Sequence, residues 1–177
     1  QSDAQPQAAA DAAFERWLPQ LGNDPAFNRN LSLHAGTHWE PELETALPHD
    51  PPCARRPRVL GIGMGADGAW YYRGTAPLEA LHQAGMARCA AVPKYKTYLR
   101  IPTVTELMRD DCDSLLLYNM LHDAHLEAMA AYKRHGVAFM TFGLDDLASE
   151  LPQKNPFRKT IFKDIKKRIR TALSLCD

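Results

Sequence analysis

The sequence predicts an α/β fold, a doubly wound parallel sheet preceded by a helical extension, and three features carry that reading. A short apolar run, Val59, Leu60 and Ile62, leads into Gly63, Gly65 and Gly68 as a strand leads into a tight turn. The contiguous Leu115, Leu116 and Leu117 of DSLLLYN indicate burial on both faces, which is the condition of a central parallel strand. Strand-like and helix-like segments then alternate from residue 58 onward, the order that βαβ units produce. With 177 residues, 45% of them hydrophobic, the chain supplies one core plus an appendage.

In chain order, residues 1–36 read as the helical extension. Ala13, Phe14, Trp17, Leu18 and Leu21 recur at helical spacing, and Gly22 and Asn23 stop the run. Asp24 as N-cap and Pro25 at the first helical position predict a second short helix. Residues 37–57, rich in proline and acids and without periodicity, read as a linker arm. Residues 58–177 hold the α/β domain. Because Pro77 suits only a first turn, its first helix is expected to start near Thr75, with Leu78 and Leu81 inward and Gly85 at the end. Residues 65–74 then form a loop containing Asp67, Trp70, Tyr71, Tyr72 and Arg73.

Residues 88–92 form the second strand, 105–109 a short helix and 113–119 the third strand. Asp123 is expected to cap a helix through Arg134, with Leu126, Met129 and Ala130 inward, and Lys133, Arg134 and His135 suit its negative end. Gly136 stops it. Residues 137–143 make the fourth strand. A last helix over 164–175 turns Ile161, Ile165, Ile169, Ala172 and Leu173 to one side and Lys163, Lys166, Lys167 and Arg170 to another. The expectation is a domain cut before its next parallel strand.

Composition narrows the function classes. Twenty-one basic and 21 acidic residues cancel, which argues against a nucleic-acid binder, although residues 152–177 hold eight Lys or Arg against two Asp. Cys53, Cys89, Cys112 and Cys176 are scattered without metal-ligand spacing, so they read as reduced thiols, with neither zinc nor a disulfide framework. No apolar run approaches a membrane span and no signal-peptide pattern opens the sequence.

Open α/β sheets gather ligands beyond the carboxyl ends of their strands. The residues leaving the strands here are Gly63, Gly65, Asp67, Tyr72 and Arg73, then Asn119 and His122, then Asp145 and Asp146. Aromatic platforms and a bidentate arginine hold sugars and phosphates. Plainer roles stand beside these. His122 or Asp123 can cap a helix, Asp145-Asp146 can be a solvated turn, Arg73 can serve a structural ion pair, and the aromatics can be core. Adjacent side chains diverge after a strand, so one acid of the pair faces the cleft, and Asp145 is the nearer to the sheet edge. The literal Gly63-x-Gly65-x-x-Gly68 also matches a dinucleotide fingerprint, which keeps an NAD(P)- or SAM-binding enzyme as an alternative. Gly74 and Pro77 interrupt the helix which that motif requires, and Lys94 and Lys96 stand where an acid is expected after the second strand.

Three stretches carry a family resemblance: RPRVLGIGMGADGAWYYRGTAPLEAL, DSLLLYNMLHDAHLEAMAAYKRHGVAFMTFGLDDL and LPQKNPFRKTIFKDIKKRIRTALSLCD. They resemble the N-terminal, acceptor-side Rossmann-like domain of bacterial group 1 glycosyltransferases of the two-Rossmann (GT-B) type, in particular members with a tetratricopeptide region upstream. The matching features are Tyr72-Arg73 with Pro77, His122-Asp123, and Leu144 with Asp145, Asp146 and Leu147. The resemblance implies that this domain binds the acceptor, a glycan, a lipid-linked sugar or a protein, while a second domain binds a nucleotide-sugar donor. It implies catalytic roles for Asp145 and His122, and substrate contacts from Gly63, Gly65, Asp67, Tyr72, Arg73, Asn119 and Asp146. No tightly bound cofactor, no metal and no nucleic acid are expected, and these 177 residues alone are expected to transfer no sugar. A cytoplasmic enzyme touching anionic membrane at its inner face is the implied setting. A non-catalytic α/β interaction scaffold is the third alternative.

Overall fold

The computed structural model describes residues 4–28, 30–33, 55–65, 67–93, 101–145, 150–155 and 162–177. A first helix, α1 (Ala4–Gly22), precedes an all-parallel sheet of β1 (Arg58–Gly63), β2 (Arg88–Val92), β3 (Ser114–Tyr118) and β4 (Phe139–Gly143), ordered β2-β1-β3-β4. Sequence and structure agree on the doubly wound α/β fold. The central strands are β1 and β3, in register with Leu60 opposite Leu115 and Ile62 opposite Leu117. All four of these side chains are fully buried on one face, and Leu116 packs against the apolar cluster on the other, which explains why β3 reads as a leucine run rather than an alternation.

Both faces of the sheet carry helices. On one face α4 (Val104–Asp110), α5 (Asp123–His135) and α6 (Ile165–Leu175) bring Leu107, Met129, Tyr132, Ile165 and Ala172 onto Leu60, Ile62, Leu115, Leu117 and Met140. On the other, the helical run after β1 sets Trp70 and Leu78 against Ala87, Cys89, Ala91 and Tyr118. A capping box starts α4: Thr103 accepts from the Glu106 amide while Glu106 accepts from the Thr103 amide.

That helical run differs most from the sequence expectation. It starts at Gly68, not at Thr75: α2 (Gly68–Trp70) passes through a π-helical turn (Tyr71–Thr75) into α3 (Ala76–Gln83). Asp67 is the N-cap, accepting from the Trp70 amide at 2.8 Å. In the π turn the Ala76 amide reaches back five residues to the Tyr71 carbonyl. A regular turn would ask Pro77 for an amide hydrogen that it lacks and press its ring on the carbonyl of Arg73; the wider turn removes both demands. The expected ten-residue loop is therefore mostly helix, and Leu81 is 37% exposed rather than inward.

The extension also differs. Residues after Asp24 form turns, not a second helix, because Asp24 and Asn28 each accept from the amide two residues on, at 2.8 and 2.9 Å. Such side-chain bonds offer the backbone an alternative to helix. Of the expected apolar stripe on α1, Leu18 is buried while Trp17 and Leu21 stay exposed. The helix nevertheless packs on the domain. A Cβ on Gly22 would stand 3.0 Å from Met108 Cβ, so glycine permits the close approach of α1 to α4. Arg109 adds a bond to the Leu31 carbonyl at 2.9 Å.

Along α5 the buried stripe is His125, Met129 and Tyr132, with Leu126 half-buried and Ala130 exposed. His122, not Asp123, occupies the cap position, and Asp123 is the first helical residue. On α6, Ile165 and Ala172 are buried but Leu173 is 55% exposed. Ile161, Cys53, Asp146, the lysines 94 and 96 and most of the linker arm lie outside the described residues. Cys89, Cys112 and Cys176 are free thiols. Among the described residues no helix is long and apolar enough to cross a membrane.

Candidate functional site

The order β2-β1-β3-β4 places the topological switch point between β1 and β3, where chain connections leave the sheet in opposite directions and open α/β sheets bind their ligands. Three segments meet there: residues 64–65 and 67–73 after β1, residue 119 after β3, and residues 144–145 after β4.

The glycines after β1 have a use that the sequence did not disclose. Trp70 is 1% exposed, and its ring lies on the backbone at three of them. A Cβ on Gly63 would come within 2.4 Å of the ring and one on Gly74 within 2.0 Å, while one on Gly61 would meet Leu78 at 2.5 Å and the indole at 2.9 Å. The indole Nε1–H donates to the Pro93 carbonyl at 3.2 Å, so the one polar atom of the ring is satisfied. Trp70 therefore belongs to the core and not to a cleft lining. Gly65 and Gly68 face open space.

Beside Trp70, at 5.5 Å between ring centroids, lies Tyr118, the last residue of β3. Its ring also packs closely on glycine of the neighbouring strand, where a Cβ on Gly143 would stand 3.2 Å from Tyr118 Cδ2. The Tyr118 hydroxyl donates to Asp145 Oδ2. Asn119, held at φ 54°, donates its side-chain amide to Asp145 Oδ1 at 2.8 Å. Each carboxylate oxygen thus accepts from a different donor, one neutral hydroxyl and one neutral amide. Tyr118 is itself held protonated well above the usual tyrosine range, first by burial, then by its bond to Asp145 and by that carboxylate's charge, with Arg73 opposing.

The expected site residues fall into two groups. Asn119 and Asp145 meet directly, and Arg73 and Asp67 lie within electrostatic reach of Tyr118. Asp67 spends an oxygen capping α2. Tyr72 is 76% exposed, its ring edge-on to Tyr71, and Arg73 is exposed and makes no ion pair with any described residue. His122 goes elsewhere. Its ring is 4.9 Å from Phe162 and 5.3 Å from His125, on the side that α6 covers. There Arg168 stacks over Phe162 at 4.3 Å and binds the Leu121 carbonyl, Asp123 and Asp164 at 3.0, 2.7 and 2.9 Å. His125, buried beneath, is pushed down to about 4 by burial and then by the His122 charge. Among the described residues no cluster of His, Cys, Asp or Glu is arranged to hold a metal ion.

Tyr118 is the member that sequence reasoning missed. Its signal was present: a hydroxyl-bearing residue closing an otherwise apolar strand delivers its polar tip to the carboxyl edge of the sheet. Comparison with protein-family models, with curated proteins and with solved structures finds no match to this chain.

Proposed function

We propose that the α/β domain is the acceptor-binding half of a nucleotide-sugar-dependent glycosyltransferase, taking a hydroxyl-rich acceptor, a glycan or a lipid-linked sugar, at the β1/β3 switch point. The observation that carries this reading is the Asp145 carboxylate, held by Tyr118 and Asn119 where an open α/β sheet binds its ligands. A fixed carboxylate accepts a hydrogen bond from an acceptor hydroxyl and draws its proton as the hydroxyl attacks. The exposed rings of Tyr71 and Tyr72 offer apolar faces to a sugar, and Arg73 supplies donors. His122, turned toward Phe162, serves better as a part of the loop's support than as the base. In this reading the donor nucleotide is held by a second domain, because transfer needs both sides closed on the reacting groups.

A dinucleotide- or SAM-binding enzyme is the second reading, favoured by one observation: Gly68 opens a helix, as the fingerprint requires. Against it, the Asp67 carboxylate already caps that helix and brings negative charge to the N-terminus where the motif seats a pyrophosphate. Saturation-transfer NMR separates the two, using methyl glycosides, UDP- and GDP-sugars, NADP and S-adenosylmethionine. Glycoside signals that Asp145→Asn weakens are expected. Signals from NADP or S-adenosylmethionine with none from glycosides would sink the acceptor reading.

A further inference from the structure

We infer that Tyr118 is the positioning residue of the switch-point site, fixing the orientation of the Asp145 carboxylate from the rigid core; the inference rests on the acceptor reading above. Asp145 sits two residues beyond the end of β4, on a segment with no strand pairing of its own. A carboxylate there turns freely about its side-chain bonds unless something holds it. Two donors hold it, one to each oxygen, and together they define the plane of the group.

Of the two donors, Tyr118 is the one anchored in the core. Its ring is 4% exposed, closes the central strand β3, and lies between the Trp70 indole and the Cα of Gly143. Trp70 has no room to move, being seated over Gly61, Gly63 and Gly74 and tied to Pro93 through its Nε1–H. These three glycines, of which only Gly63 belongs to the fingerprint, thus act two side chains away: they admit an indole, the indole backs a tyrosine, and the tyrosine orients a carboxylate. Asn119 contributes from the other side. Its left-handed backbone, which asparagine tolerates better than most residues, turns the amide toward Asp145.

The test uses the whole chain labelled with 13Cζ-tyrosine, with Tyr118→Phe, Asp145→Asn and Tyr118→Phe/Asp145→Asn variants. Tyr118→Phe keeps the ring against Trp70, and Asp145→Asn changes only a half-exposed loop residue, so both retain the core. In the wild type the Tyr118 resonance is expected to resist titration. In Asp145→Asn it is expected to titrate at lower pH, while Tyr132, bonded to the Pro102 carbonyl on the opposite face, does not move. With a methyl glycoside that binds the wild type, Tyr118→Phe is expected to weaken binding about tenfold, and the double variant to bind no worse than Asp145→Asn alone. An unmoved Tyr118 resonance in Asp145→Asn overturns the inference, as do binding losses that simply add. A wild-type chain that binds no glycoside, with the Tyr118 shift intact, overturns the acceptor reading and leaves the coupling of the two residues standing.

Discussion

A Cβ on Gly74 would lie 2.0 Å from the Trp70 ring, so the helix after β1 contains a position where only glycine fits. Elsewhere in a helix, alanine is better than glycine by about 1 kcal/mol. Here the sign reverses. Gly74→Ala is expected to destabilise by about 1–3 kcal/mol, the usual range for overpacking a core. Gly68→Ala, at the start of the same helical run and facing open space, is expected to be neutral or slightly stabilising. Urea unfolding of the two variants side by side checks the contrast, and equal effects would remove the indole cradle from the account.

Trp70→Ala tests the same cradle from the other side. Deleting a fully buried indole costs about 3–5 kcal/mol and leaves a cavity between the glycines and Tyr118. Added indole is expected to restore part of the lost melting temperature in proportion to its concentration, as ligand linkage requires. No recovery at millimolar indole would mean that the site collapses around Tyr118.

Much of the fold was legible because burial leaves a simple trace. The apolar runs over β1 and β3 and the alternation of strands with helices specify a parallel sheet whichever helix boundaries are chosen. What stayed hidden was a matter of competing local rules. Gly74 and Pro77 are both ordinary helix breakers, and only a π turn around an indole lets one helix contain them. Turn chemistry at Asp24 and Asn28 likewise overrode a reasonable capping pattern. Asp145 and Asn119 were readable as strand-end residues. Tyr118 carried a fainter signal, its hydroxyl at the strand end, because within SLLLY it looks like one more apolar strand residue until β4 brings Asp145 to that hydroxyl.

Acid sensitivity follows from His125. It is 4% exposed and its pKa is lowered to about 4, below the roughly 6.5 of an unfolded histidine. A depressed value means that the folded state keeps the ring neutral, so the contribution is complete above pH 6.5 and is lost as pH falls toward 4. One such group costs about 2 kcal/mol between pH 7 and pH 5. The wild type is expected to lose that much in urea titrations over this range. His125→Gln is expected to start lower at pH 7 and to fall far less.

Basic residues on the α6 side divide into spent and available. Lys166 pairs with Glu150, and Arg168 with Asp123 and Asp164. Lys163, Lys167 and Arg170 are exposed and make no ion pair with described residues. Lysines and arginines beside an anionic bilayer contribute about 1 kcal/mol each, so three are expected to give weak, salt-sensitive binding. Co-sedimentation with phosphatidylserine vesicles at low salt, absent with phosphatidylcholine, is expected, and Lys163→Glu/Lys167→Glu should abolish it. Equal pelleting with both vesicle types would refute peripheral contact through this face.

The outer edge of β4 carries the last prediction. Its Met140 amide donates to Asp177 Oδ2 at 2.9 Å, and the Asp177 amide donates to the Met140 carbonyl at 3.0 Å. One residue thus satisfies both outward backbone groups of Met140, and Lys133 pairs with the same carboxylate. An edge strand with unsatisfied groups recruits other strands, and β4 also exposes Phe139 at 54%. Asp177→Ala removes the side-chain acceptor and the charge facing Lys133 together. Faster hydrogen exchange at the Met140 amide and concentration-dependent self-association are therefore expected in that variant, read by exchange mass spectrometry and by light scattering. Asp177→Asn keeps an oxygen for Met140 and gives up only the charge, so its exchange at Met140 should stay close to the wild type. If Asp177→Asn opened the edge as far as Asp177→Ala, the ion pair with Lys133 would be what closes β4, and the bond to Met140 a consequence of it.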